Sequence, residues 1–212
     1  MMRKIFPKPE DIIKISDVVI SNWHNGEKDI SCIEDAFVIL SNTKNDDLLF
    51  NIEMLSIINT TLWHHEDKAR DNDAPDSIIA ETKRQIDRLN AMRVMKVEEI
   101  DDILFNSVVI DENAPLNSET IGSIIDRLTI LSLKIYHMSY EAEREHASIE
   151  HKKKCSNNLS ILKKQLSDLI EAYRTLVKEV ENGKRRYSLY RQFKMYNEPD
   201  LNPVLYNKKC KN

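Results

Sequence analysis

Glycine is nearly absent from this sequence. Only Gly26, Gly122 and Gly183 occur in 212 residues, whereas a P-loop or a dinucleotide-binding turn needs several glycines at fixed spacing so that backbone can approach phosphate. Both are excluded. Six prolines add few further breaks, and so few turns fit long helices with short connections better than a sheet. Cysteine is equally sparse. Cys32, Cys155 and Cys210 are odd in number and show neither a CxxC pair nor Cys/His ligand spacing, against both a disulfide framework and a structural zinc. They read as reduced thiols. No run of about 18 apolar residues is present to span a bilayer. The opening MMRKIFPKPEDIIK turns charged before a signal-peptide core develops, so the expectation is a cytoplasmic chain without a membrane span.

What is abundant is charge, 31 basic against 35 acidic residues, and it is unevenly spread. Residues 151–212 carry 15 Lys plus Arg and 6 Asp plus Glu, net +9, which leaves 16 and 29, net −13, for residues 1–150. A basic third invites a nucleic-acid reading. HKKKC and GKRRY, however, flank a long amphipathic segment where lysines coat a solvated face, so nucleic acid is not the expected partner. The expectation is that the basic third packs across the acidic two-thirds. The length suits one domain, taken as 1–212 with an extended tail from about 198.

Apolar residues recur at helical spacing along most of the chain. Helices are expected near 9–24, 31–42, 47–71, 76–105, 118–153 and 157–182, the last ended by Asn182-Gly183, with a short helix near 186–196. The fold class is therefore all-α, a bundle of about six to seven helices with long central ones.

Polar residues interrupt three of these apolar faces. In 76–105 the series Ile86, Leu89, Val97, Ile100 passes through Arg93, with Asn90 beside it. An unpartnered buried guanidinium costs several kcal/mol, so a carboxylate or a bound anion should meet it. In 118–153, apolar residues surround almost the whole circumference, and a polar line of Glu119, Ser123, Asp126 or Arg127, Lys134 and His137 runs through at offsets that keep one face. It is either a salt-bridge ladder or the floor of a pocket. The stretch LWHHEDKAR, residues 62–70, joins Trp63, His64, Glu66, Asp67 and Arg70. Glu66 and Arg70 form an i,i+4 pair, while His64 and Asp67 at i,i+3 have the spacing to share a metal.

Four ordered motifs resemble one family. WHxEDxAR stands at Trp63–Arg70, IAxxKRxIDxLN at Ile79–Asn90, NSExxGxxIDRLxILxLKxYHM at Asn117–Met138 and QFKMYNxPxLNP at Gln192–Pro203. Together they are similar to the bacterial domain-of-unknown-function family 4254. What the resemblance implies is a setting: members often lie among genes for lipopolysaccharide and surface-glycan biosynthesis. The chain departs from the family at Val94 and Met95, where Asn-Asp usually follows the arginine.

Two functional classes follow. The first is a cytoplasmic protein that binds an anionic sugar compound, a sugar phosphate or nucleotide sugar, as an accessory to surface-glycan assembly, with a glycosyltransferase as candidate partner. Arg70, Lys83, Arg84, Arg93, Arg127 and Lys134 would meet phosphate, and Glu66, Asp67, Asp87 and Asn90 would take hydroxyls or hold those cations, with Trp63, His64, Glu119 and Asp126 as further ligand-binding candidates. The alternative is a magnesium-dependent all-α nucleotide pyrophosphohydrolase, with Glu98 and Asp101 facing Glu66 and Asp67 around the ion.

Overall fold

A computed structural model describes residues 6–26, 30, 32–41, 47–193 and 200–202. Among these are six helices: α1 Pro9–Gly26, α2 Ile33–Leu40, α3 Asp47–Lys68, α4 Asp76–Phe105, α5 Ile121–Glu143 and α6 Ile149–Glu181. The chain is an all-α bundle, and the one β-type contact among the described residues is an isolated bridge between Leu116 and Arg186. No described helix is long and apolar enough to cross a membrane.

Local chemistry sets the helix ends. Pro75 precedes the first turn of α4 and fixes an extended entry. Thr120 caps α5 by accepting from the Ser123 backbone, while Ser123 answers with its own hydroxyl. At the far end of α6, Gly183 adopts φ 66°, and the bonds Gly183 N to Val180 O and Lys184 N to Glu179 O form the glycine-based stop expected there.

Two sequence expectations are corrected. The helix expected over 118–153 is two elements, because α5 ends at Glu143 and Ser148 caps α6 by accepting from the His151 backbone. No glycine or proline marks that break; a serine cap after a charged, apolar-poor stretch makes it. No helix forms over the described part of 186–196. Arg186 instead donates its backbone N–H to Pro115 O at 3.0 Å and accepts from Asn117 at 2.7 Å, while Tyr187 is buried against Phe105. These tertiary contacts replace helical ones. Residues 194–196 and all but 200–202 of the expected tail lie outside the described residues.

α3 is the central element, since every residue from Asn51 to Leu62 is buried. A helix buried all round must be enclosed by others, and α1, α2, α4 and α5 pack on it. α5 passes between α3, α4 and α1 on one side and α6 on the other. Gly122 lets α5 approach α4 closely: a Cβ there would sit 2.7 Å from both the Val97 carbonyl and the Asp101 carboxylate. The same carboxylate accepts the Gly122 N–H at 2.6 Å. The basic third does reach the acidic part, through Arg174 paired with Glu10 and Arg191 with Asp102 at 2.7 Å and Glu98 at 3.7 Å.

Candidate functional site

Arg93 meets the carboxylate that its place on an apolar series demands. Its Nε and Nη2 donate to both oxygens of Asp126, at 2.9 and 2.5 Å, a fork-to-carboxylate geometry that only arginine makes. Asp126 is buried, and its Oδ1 also accepts from Asn59 Nδ2 at 2.9 Å. Asn59 in turn donates to Thr129 Oγ1 at 2.9 Å, so α3, α4 and α5 are joined by one connected network. Arg93 keeps 31% of its side-chain surface exposed, because cavities open beside it.

Two cavities share Asn90 and Arg93. The larger, about 660 Å³, lies between α4, the start of α5 and the segment carrying Tyr190 and Gln192, and includes Asp87, Glu98, Asp101, Ser123 and Asp126. Burial pushes the Asp101 carboxyl up, opposed by its bonds to Thr120 and Gly122. The smaller, about 440 Å³, lies between α3, α4 and α5 and is lined by Trp63, Glu66, Asp67, Arg70 and Lys134 among others. Four carboxylates face one arginine in the first cavity; three cations face two carboxylates in the second. The Lys134 side chain makes no hydrogen bond or ion pair among the described residues.

Sequence reasoning placed Trp63, Glu66, Asp67, Arg70, Asn90, Arg93 and Lys134 together, and all line the smaller cavity. Others were misplaced. Lys83 and Arg84 lie on the solvated face of α4, in exposed pairs with Asp87 and Glu81; of these only Asp87 reaches a cavity wall. Arg127 points away from Asp126 and pairs with Glu119 at 2.7 Å, facing α6, since one residue's step turns a helical side chain by about 100°.

The four carboxylates expected around magnesium are not assembled. His65 bonds Gln85 at one end of the α3–α4 hairpin and Asn51 bonds Lys96 at the other. At about 1.5 Å per residue, Glu66 and Asp67 are separated along the hairpin from the level of Glu98 and Asp101 by roughly 20 Å. Glu98 and Asp101 also have other partners, Arg191 and Gly122.

His64 is gathered with two other histidines rather than with Asp67. It turns toward α1, stacked on Trp23 with ring centroids 4.9 Å apart, and meets His24 and His137 edge-on. Burial, then His24, His137 and His65, push its imidazole down to about 4. His137 is pushed down by burial and His24, with Asp67 pulling the other way. Neither His24 nor the role of His137 beside it was found from sequence. A signal was present: the dipeptides Trp23-His24, Trp63-His64 and Tyr136-His137 repeat an aromatic followed by histidine on three separate helices.

Fold and site define a helical bundle with contiguous polar cavities around a networked ion pair. The family DUF4254, described as a protein of unknown function, matches residues 51–189, more than half of the chain, and the chain belongs to that family. No curated protein and no solved structure matches significantly. The matched span begins inside α3 and ends after Tyr187, so it holds both cavities apart from Tyr190 and Gln192 but omits α1.

Proposed function

We propose that this chain is a cytoplasmic binding protein for an anionic sugar compound, a sugar phosphate or nucleotide sugar, serving bacterial surface-glycan assembly beside a glycosyltransferase. The supporting observation is the division of charge across Arg93. The cation-rich smaller cavity, with Lys134 unpaired, suits phosphate oxygens. The carboxylate-rich larger cavity offers acceptors for sugar hydroxyls. Arg93 stands between them with Nη1 outside its bonds to Asp126. The glycan setting rests on the family resemblance alone.

Thermal unfolding with glucose 1-phosphate, UDP-glucose and glucose tests this reading. A ligand at about 100 times its Kd stabilises by roughly 2.7 kcal/mol, so a phosphorylated compound should raise Tm and glucose should not. Lys134→Ala, an exposed change, should remove that rise without lowering the ligand-free Tm. Equal response to all three compounds, or to none, rejects the proposal.

A further inference from the structure

The three aromatic–histidine dipeptides are arranged as a closed ring. α1 supplies Trp23-His24, α3 supplies Trp63-His64 and α5 supplies Tyr136-His137. Trp23 stacks on His64 at 4.9 Å, Trp63 on His137 at 4.6 Å and Tyr136 on His24 at 4.9 Å, with interplanar angles of 6°, 7° and 14°. Each helix thus lends its aromatic plate to the histidine of the next, in the cycle α1 to α3 to α5. The imidazoles meet one another edge-on, centroids 5.2, 5.2 and 5.6 Å apart at 71°, 71° and 66°. One ring nitrogen of each lies within 4.8 Å of the other two.

We propose that His24, His64 and His137 bind one divalent transition-metal ion of the zinc class. Among the described residues this is the one group of three metal-ligating side chains so gathered. Nε2 of His64 and of His137 are shut off from solvent and have no hydrogen-bond partner among the described residues, although buried polar atoms are ordinarily satisfied. Zinc–nitrogen bonds of about 2.0–2.1 Å place ligand nitrogens roughly 3.4 Å apart in a tetrahedron, so an ion needs the rings to close by no more than about 1.4 Å. Stacked aromatics hold each ring plane while permitting that movement. Imidazole is a good ligand for zinc, copper, iron and nickel, in contrast to magnesium and calcium. All three ligands bind in the neutral form.

A three-histidine set leaves a coordination position open, as catalytic rather than structural zinc sites do. Trp63 joins this cluster to the smaller cavity, covering His137 with its ring while lining that cavity. Asp67 lines the same cavity and is the carboxylate that acts electrostatically on His137. The ligand set itself does not depend on what the cavity binds.

The full-length chain, stripped with EDTA, is titrated with Zn²⁺ by calorimetry and with Co²⁺ by visible absorption. One ion per chain, a raised Tm and a tetrahedral cobalt spectrum are expected. His64→Gln and His137→Gln should each weaken binding at least 100-fold, the upper end of what an outer-shell change costs. His65→Gln and His151→Gln should leave it unchanged, because those rings already bond Thr61, Gln85 and Glu141. Where a ligand variant fails to fold, X-ray absorption of the zinc-loaded natural sequence decides. A shell with three imidazoles supports the site. Fewer than three, no saturable binding, or equal loss in the His65 and His151 variants overturns it, leaving three rings that pack as aromatic plates.

Discussion

Trp63 and His64 are adjacent on α3, at the border of two polar interiors of opposite character: Trp63 also lines the cavity beside Arg93, while His64 lies within the histidine cluster. On the Trp63 side, Asp126 is satisfied from within the chain, accepting from Arg93 and Asn59 on two other helices. On the His64 side, three imidazoles from α1, α3 and α5 meet among aromatic rings, and no carboxylate bonds His64 or His137 among the described residues. The first interior tolerates burial by internal pairing; the second tolerates it by holding His64 and His137 toward the neutral form. The two interiors therefore differ in what each can receive. A network already complete is a scaffold, and its free capacity lies at the edges, at Arg93 Nη1 and Lys134. A cluster with buried, unbonded nitrogens has its capacity at the centre.

Breaking the first interior should have the largest effect. Asp126→Ala strands Arg93 and leaves Asn59 without its carboxylate acceptor, and removing one partner of a buried pair costs about 3–5 kcal/mol. With Arg93 31% exposed, the lower end, about 3 kcal/mol, is expected in urea unfolding. A loss below about 1 kcal/mol, typical of exposed pairs, would mean that Asp126 does not hold the three helices together.

Acid should break the second interior instead. In the folded chain the His64 imidazole is held down to about 4 against an ordinary value of 6.5, so the unfolded chain takes up the proton first. The contribution of the neutral ring is complete above pH 6.5 and is lost as pH falls toward 4. In EDTA, Tm of the natural sequence should fall over that window, and His64→Gln should flatten the fall. An unchanged slope in the variant would move the acid sensitivity elsewhere.

The smallest effect sharpens the contrast between interior and surface. Lys83 and Asp87 are joined at 2.7 Å, within the 2.5–3.1 Å spread of the bonds around Asp126, but both side chains are more than half exposed. Lys83→Ala should change unfolding free energy by no more than about 0.5 kcal/mol. A larger loss would show that the outer face of α4 contributes to the cavities after all.

Some of this was legible in sequence because it is local. Apolar spacing and the stop at Gly183 depend on residues within a turn or two, and Pro75 marks the start of α4 for the same reason. Arg93 could be recognised as needing a partner from its own helix alone, since burying a guanidinium is costly wherever it occurs. The break at 144–148 escaped notice because serine caps helices only in context; unlike proline, it also sits within them. The segment 186–193 escaped because the backbone bonds of Arg186 go to 115–117, some seventy residues earlier, and that of Gln192 to the Glu98 side chain.

From residue order alone come an all-helical chain, the helical segments apart from one missed break and a short helix near 186–196 that does not form, and the faces on which charge would be buried. Helical side chains are placed relative to their own axis by a rotation of about 100° per residue, and that much can be counted from the residues. How far each helix is rotated and slid against its neighbours is decided only by packing of the whole core. That axial offset set Glu66 and Asp67 apart from Glu98 and Asp101, and that rotation turned Arg127 toward α6 while Asp126 met Arg93. It also brought His24, His64 and His137, separated by 40 and 73 positions in the chain, to one point, because contacts between helices act through space and leave no spacing along the sequence.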